Sequence, residues 1–376
     1  MSTGYGEGSV YQTKSGGWVA AIRLPNGKRK AFYGKTERAV RIKLNEFKKK
    51  PRLTGKNSTN LDIETFFLSW LENDLVNNLK PKSYDAKEYT IKKLIIPYFK
   101  KFKAGEIQPI DVQTFVNKLI GNGYAYSTVK KAYDTINQRY KLAVQRKELY
   151  DNPVVGIVMP KKSERPISEI RFFTEEELKN ILEVANAKYP SGTPIYRLGC
   201  IIQFLAYTGM RIGEALALTW NDIDFDSNKI YINKNLVTII DRESSNSRKM
   251  VVQNTLKTSS SNRVIPMSRN AKTALKSLKS ANSQNELVFR TSNGTALDIR
   301  NLDRMFHKIQ ERAGIKEHGT LHSLRHTFAT RLIEVGTDIK VVSKLLGHSD
   351  INITYNTYVH IIENQQVKAV DNIDLI

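Results

Sequence analysis

Two segments without hydrophobic periodicity divide the 376-residue chain into three parts. Residues 51–60 are rich in Pro, Gly, Asn, Ser and Thr, and residues 152–169 contain three prolines. Such compositions are typical of linkers, because they favour turns and interrupt helices and strands. The sequence therefore predicts three domains, over residues 1–56, 60–155 and 168–376.

Each of the three parts has its own secondary-structure pattern. In the first, Gly-Gly and Pro-Asn-Gly turns separate three short β-prone runs, and a helical pattern follows. The second has the pattern of four helices separated by prolines and a Gly-Asn-Gly turn. In the third, helical patterns flank an alternating, strand-like region over residues 220–267. We therefore expect an α+β, mainly α protein: a small three-stranded sheet plus helix, a helical domain, and a mixed, mainly helical domain.

The chain is strongly basic, with 59 Lys and Arg against 37 Asp and Glu and a net charge of +22. Half of this excess lies in the first 60 residues. A balance of this kind favours a polyanionic partner, most commonly nucleic acid. Lysines on a helical part such as this one more often form an ordinary solvated face. The candidate DNA contacts are Arg23, Lys28, Arg29 and Lys30 in the predicted sheet, and Lys92, Lys93, Lys130 and Lys131 in the predicted helices.

Several classes of protein are disfavoured. The single cysteine, Cys200, excludes an intramolecular disulfide framework. No stretch has the length and apolar character of a membrane helix, and the N-terminus lacks the apolar core of a secretory signal. There is no Walker A or HExxH motif, so we expect neither ATP nor a metal. The sequence predicts a cytoplasmic protein with no cofactor and no membrane partner.

Four motifs in the third part concentrate residues suited to catalysis. They are TGMRIGEALAL, NTLKTSSSNRVIPM, LHSLRHTFAT and LLGHSDINITYNTYVH. All six histidines of the chain lie in its last 70 residues, and histidine is suited to proton transfer near neutral pH. In this order, the motifs resemble those of the tyrosine recombinase (phage integrase) family, in particular integrases of temperate phages and conjugative transposons. The positions that match are Arg211, Lys257, His322, Arg325, His348 and Tyr358.

The resemblance implies that a tyrosine attacks a DNA phosphodiester and forms a covalent 3′-phosphotyrosine, without ATP or metal. Arg211 and Arg325 match the family's two arginines, which bind the phosphate oxygens and stabilise the transition state. Tyr358 matches the nucleophile. Tyr355, one helical turn earlier, is the rival candidate.

The other matched positions are implied to move protons or to bind phosphate. Lys257 matches the general acid that protonates the leaving 5′ oxygen, and His322 matches a general acid/base. His348 matches a residue that hydrogen-bonds the phosphate. The remaining histidines, among them His326, are expected to be structural or surface residues. A metal site made of His322 and His326 is disfavoured, because no cysteine or HExxH motif accompanies the pair.

The resemblance also implies the partners. The first part matches an arm-binding domain, the second a core-binding domain and the third a catalytic domain. The expected partner is double-stranded DNA at core and arm attachment sites, bound by a homotetramer in the bacterial cytoplasm at the nucleoid. A directionality factor and a host DNA-bending protein are further candidate partners. The alternatives are a non-catalytic DNA-binding protein built on a decayed recombinase and a type IB topoisomerase-like relaxing enzyme.

Overall fold

The computed structural model describes nine stretches of the chain: residues 8–13, 16–23, 29–49, 60–160, 171–242, 247–253, 262–278, 286–359 and 361–362. It divides into two compact units, Met1–Arg165 and Pro166–Ile376. The three domains expected from the sequence stay a prediction. Among the described residues, no helix is both long and apolar enough to cross a membrane.

The N-terminal part is an antiparallel meander followed by a helix. It consists of β1 (Ser9–Gln12), β2 (Trp18–Arg23), β3 (Arg29–Gly34) and α1 (Glu37–Lys49). In the register of the sheet, Ala20 lies between Val10 and Phe32, and all three pack on the same face. That face is covered by apolar side chains of α1, including Val40 and Leu44. The central strand is apolar from Trp18 to Ile22, and Val19 and Ala21, whose side chains point to the other face, are buried as well.

Next in the chain comes an all-helical part with an aromatic core. Two of its helices continue through π-helical turns. Its elements are α2 (Ile63–Trp70) with the turn Leu71–Leu75, α3 (Pro81–Thr90) with the turn Ile91–Ile95, α4 (Ile96–Phe99), α5 (Pro109–Gly121) and α6 (Tyr126–Gln145). Phe66, Phe67, Phe99, Phe115 and Tyr140 are all fully buried there.

The second unit is mainly helical. Its helices are α7 (Glu175–Ala185), α8 (Cys200–Thr208), α9 (Ile212–Leu216), α10 (Arg269–Lys276), α11 (Ile299–Arg312), α12 (Leu321–Glu334), α13 (Ile339–Leu346) and α14 (351–359). α8 is almost entirely apolar and packs against α10 and α12 at the centre of the unit. α7 begins with a capping box, in which Thr174 and Glu177 satisfy each other's backbone N–H groups.

Two small antiparallel sheets complete this unit. β4 (Ile223–Asp224), β5 (Lys229–Ile232) and β8 (Arg263–Pro266) form one, and the hairpin of β6 (Asn235–Ile240) and β7 (Arg248–Gln253) forms the other. The mixed, mainly helical third part expected from the sequence is therefore confirmed. Lys257, in the connection from β7 to β8, lies outside the described residues.

Candidate active site

The turn from α8 to α9 places Arg211. Gly209 ends α8 in the left-handed conformation, at φ +61°, and a Cβ at this position would collide with the Phe328 ring. Arg211 then caps α9. Its backbone N–H donates to Glu214 Oε2 over 3.0 Å, and its guanidinium donates to Glu214 Oε1 over 2.8 Å. The Arg211 side chain is still 37% exposed, so its guanidinium remains open to a ligand.

Glu214 is shared between two arginines. The Arg263 guanidinium donates to its two oxygens over 3.2 and 2.8 Å, and Arg263 Nε donates to the carbonyl of Leu345 over 2.8 Å. Burial alone would raise the pKa of Glu214, but the hydrogen bond and charge of Arg263 and the charge of Arg211 outweigh it and lower the pKa. The Glu214 carboxylate is therefore ionised, and it holds the Arg211 side chain in place. The sequence reasoning did not assign Arg263 a role.

Arg325 lies inside the protein on α12. Its NH1 donates to the carbonyl of Gly209 over 2.8 Å, and its NH2 donates to the carbonyl of Leu346 over 2.7 Å. Burial, and next the charge of Arg211, lower the pKa of Arg325 to about 9. The guanidinium therefore stays cationic at neutral pH, and it lies between the end of α8 and the end of α13.

His348 follows the Gly347 turn that ends α13 and contacts Arg325. Its Nε2 lies 2.9 Å from Arg325 NH2, and its Nδ1 lies 2.7 Å from Thr354 Oγ1. Burial and the charge of Arg325 lower the pKa of His348 to about 4, so the ring is neutral at neutral pH. A guanidinium is only a donor, so Nε2 must accept and Nδ1 carries the proton, which it donates to Thr354.

Tyr358 lies on α14 with its ring buried against α12 and α13. The side chain is 2% exposed and packs with Ala329, Ile333 and Leu346. Burial raises the pKa of Tyr358 to about 12, although the positive charge of Arg325 acts in the opposite direction. The rival candidate, Tyr355, is 43% exposed. The structure therefore brings Tyr358, and not Tyr355, into the neighbourhood of the buried arginine.

The Tyr358 hydroxyl contacts His326, which was expected from the sequence to be a structural or surface residue. His326 Nδ1 lies 2.8 Å from Tyr358 Oη. The rings of His322 and His326 meet edge to face at 4.6 Å. Burial and then the charge of Arg325 lower the pKa of His322. The i, i+4 spacing of the two histidines was the signal in the sequence that pointed to a shared face.

The predicted DNA contacts are surface residues wherever the structure describes them. Arg29 and Lys30 are exposed, but they point to opposite faces of the N-terminal sheet, because side chains alternate along a strand. Lys92 pairs with Glu88 over 2.8 Å. Three further positions are exposed: Lys93, Lys130 and Lys131. Of these, Lys130 also pairs with Asp134 on the same helix. The side chain of Arg23, and all of Lys28, lie outside the described residues.

Comparison with known sequences decides the family. The profile described as "Phage integrase family" matches residues 171–365, more than half of the chain. The profile described as "Phage integrase, N-terminal SAM-like domain" matches residues 63–120. The chain belongs to the phage integrase family.

Relatives extend the match beyond these two regions. The chain is 32% identical, over 388 aligned positions, to a protein of Caldanaerobacter subterraneus subsp. tengcongensis called "Tyrosine recombinase XerC-like", with 95% of this chain and 94% of the relative aligned. It is 27% identical to the ICEBs1 integrase of Bacillus subtilis, over 78% of each chain. The family and the recombinase function predicted from the sequence are confirmed: this is a site-specific DNA recombinase of the tyrosine type.

Solved structures share the fold at low sequence identity. The Tn1549 transposon integrase in complex with transposon right end DNA is 20% identical, with a TM-score of 0.65 over 79% of this chain and 95% of that chain. The lambda integrase tetramer bound to a Holliday junction is 17% identical, with a TM-score of 0.58 over 91% and 95% of the two chains. The predicted fold class is therefore confirmed.

Proposed function

We propose that this recombinase integrates and excises a mobile DNA element with Tyr358 as its nucleophile. The observation that carries the assignment is the position of the Tyr358 ring, which is buried in the field of Arg325. His348 hydrogen-bonds the same guanidinium. Tyr358 therefore lies near the positive charge of Arg325, which can bind a phosphodiester, whereas Tyr355 is exposed.

Arg211 and Arg325 bind the scissile phosphate in this proposal. A guanidinium has five N–H donors. In the described part of the chain, Arg325 uses three of them, on Gly209, Leu346 and His348, so two are left for phosphate oxygens. Both arginines are fixed by protein acceptors before DNA arrives, and such preorganised cations stabilise the charge of a pentacoordinate transition state without further rearrangement.

The proposed cleavage step exchanges one phosphate ester for another, so the energy of the phosphodiester bond is kept in the phosphotyrosine. Tyr358 Oη attacks phosphorus and gives up its proton to a neighbouring imidazole, the bond from phosphorus to the 5′ oxygen breaks, and Lys257 protonates that oxygen. His322 takes part in proton transfer, and His348 holds the Arg325 guanidinium at the phosphate through its Nε2. The reverse reaction, with the 5′ hydroxyl of another strand, completes strand exchange without ATP or a metal.

The remaining parts of the chain supply DNA binding in the proposal. Residues 1–56 bind arm sites, residues 60–155 bind core sites, and residues 168–376 carry the chemistry within a homotetramer on DNA. The tetramer of lambda integrase on a Holliday junction supports this arrangement by likeness of fold. Two DNA-binding parts joined by linkers raise the avidity for distant sites. The proposed further partners are a directionality factor and a host DNA-bending protein. The proposed location is the bacterial cytoplasm.

A covalent-trapping assay tests the catalytic assignment. The full-length protein is incubated with fragmented DNA of its source organism, with and without a chelator, and is then denatured. We expect protein–DNA adducts that the chelator does not reduce, that Tyr358→Phe abolishes and that Tyr355→Phe preserves. Sequencing of the trapped DNA identifies the attachment sites.

Other outcomes count against the proposal. Adducts lost with Tyr355→Phe would move the nucleophile by one helical turn. Tight DNA binding without any adduct would favour a non-catalytic DNA-binding protein. Deletion of residues 1–56 tests the arm-binding assignment separately, because it should abolish integration while cleavage of a core site continues.

A further inference from the structure

We infer that His326 is a further catalytic residue, which accepts the phenol proton of Tyr358 while the bond to phosphorus forms. The inference rests on the proposed nucleophile. It starts from one contact: His326 Nδ1 lies 2.8 Å from Tyr358 Oη, within the reach of a proton transfer. His326 was not among the six positions matched to the family motifs, where general acid/base work is implied for His322.

The protonation states fit an acceptor. Burial, and then the charges of His322 and Arg325, lower the pKa of His326 to about 4, so its ring is neutral at physiological pH. Burial keeps the phenol of Tyr358 protonated in the resting protein. In the tautomer that this role requires, the hydroxyl donates to an unprotonated Nδ1, and the other ring nitrogen, Nε2, carries the imidazole proton.

A weakly basic imidazole is sufficient for this step, because the acidity of the phenol changes during attack. A free phenol holds its proton strongly. Once its oxygen is bonded to phosphorus, the oxygen becomes positively charged and strongly acidic. Proton transfer to His326 is then downhill, and it needs no phenolate before DNA binds. The approaching phosphate anion also stabilises the imidazolium that forms.

His322 does not occupy this position. Neither hydrogen bonds nor ion pairs join His322 to Tyr358 in the stretches of chain that the structure describes. Its ring instead meets the His326 ring edge to face. His322 therefore contacts the ring of His326 and not the Tyr358 hydroxyl.

The atoms and charges of the step balance. The O–H bond of Tyr358 breaks and its proton moves to His326 Nδ1, while the bond from Oη to phosphorus forms. The bond from phosphorus to the 5′ oxygen breaks, and that oxygen takes its proton from the proposed general acid, Lys257. In the ligation direction, His326 returns its proton to the departing phenol.

Two reactions on the site DNA recovered by trapping separate this role from folding and from phosphate binding. The first is cleavage by the full-length protein, which needs proton removal from Tyr358. The second is ligation of a 5′-hydroxyl strand to a strand ending in a 3′-p-nitrophenyl phosphate. This ligation uses the phosphate site but no tyrosine, and p-nitrophenolate leaves without a proton. Tyr358→Phe serves as the reference that ligates without cleaving.

Three variants are compared in both reactions. His326→Ala removes the acceptor, whereas His326→Asn places an oxygen near the Nδ1 position that accepts a hydrogen bond but is not basic. We expect both to slow cleavage by about 100-fold or more, the usual contribution of a general base, and to change ligation by less than about threefold. His318→Ala, at an exposed histidine, is expected to change neither rate.

Each other outcome overturns the inference. Cleavage by His326→Asn at the wild-type rate would mean that the contact only positions the phenol. Equal or faster cleavage by His326→Ala would mean that the contact only holds Tyr358 in place before DNA binds. A parallel loss of cleavage and ligation would assign His326 to the fold or the phosphate site. If the wild-type protein formed no adduct while ligating the activated strand, the proposed nucleophile itself would fail, a result distinct from the other three.

Discussion

Arg263 and Glu214 form a buried ion pair, and the same carboxylate also binds Arg211. Both side chains are almost inaccessible, at 4% and 2% exposure, and NH2 of the arginine lies 2.8 Å from Oε2 of the carboxylate. Arg263 opens β8, six residues after Lys257, and Glu214 lies in α9. The pair therefore joins the strand that follows the Lys257 segment to the helix that carries Arg211.

Glu214→Gln is expected to destabilise the second unit strongly. The substitution removes the negative charge that Glu214 sets against Arg263, and breaking a buried ion pair in this way costs about 3–5 kcal/mol. Urea unfolding followed by circular dichroism measures the change. The matched control is Glu334→Gln, at an exposed carboxylate that pairs with Arg331, and it should cost no more than about 1 kcal/mol. Similar small losses in both variants would show that the buried pair contributes little.

Gly209→Ala is expected to impair both stability and cleavage. Gly209 has φ +61°, and the added Cβ would meet Phe328. The left-handed conformation costs about 1–2 kcal/mol for a residue with a Cβ, and the overpacking adds about 1–3 kcal/mol. The Gly209 carbonyl also holds Arg325, so the displaced backbone should slow cleavage.

Gly336→Ala is the control for this backbone effect. Gly336 also follows a helix end with positive φ, but no atom lies within 4 Å of its added Cβ. Thermal melts and trapping rates of the two variants are compared. Equal destabilisation would show that the Phe328 contact is relieved by a small shift of the ring.

The stability of the second unit is expected to decrease as the pH falls from about 7.5 to 5.5. Burial lowers the pKa values of His326 and His348 to about 4, whereas an unfolded histidine titrates near 6.5. The unfolded chain therefore binds protons in this range that the folded chain does not, and the free energy of unfolding decreases with acidification. Melting temperatures across the range test this. The double variant with His326→Asn and His348→Asn should have the flatter profile, and an unchanged profile would contradict the assignment.

Arg29 is expected to matter more than Lys30 for binding of arm DNA. Arg29 lies on the open face of the sheet, where its guanidinium stacks 5.6 Å from the centre of the exposed Tyr11 ring. Lys30 is on the face that α1 covers, with its Nζ 5.9 Å from the centre of the Phe32 ring. The plot of log K against log salt concentration has a negative slope. Arg29→Gln should reduce the magnitude of this slope by about 0.9, the value for one phosphate, and Lys30→Gln should leave it unchanged. Fluorescence anisotropy at several salt concentrations measures both slopes. Equal slopes for the two variants would contradict contact through the open face.

The sequence predicted the local structure well, for physical reasons that act over a few residues. Turn residues between β-prone runs determine the three-stranded meander, and the capping box at Thr174 determines where α7 begins. The four motifs likewise indicated a cluster of Arg211, Arg325, His348 and Tyr358 before their distances were known. The domain boundaries and the roles of these residues stay predictions.

Contacts between distant elements were decided only by the tertiary structure. His326 and Tyr358 are 32 positions apart, and no spacing rule within one helix relates them. Their contact depends on how α12, α13 and α14 pack, as the ion pair of Arg263 with Glu214 depends on the packing of β8 against α9. A short sequence pattern fixes which face of a helix a side chain occupies, but the burial of whole apolar faces determines which side chain of another element meets it.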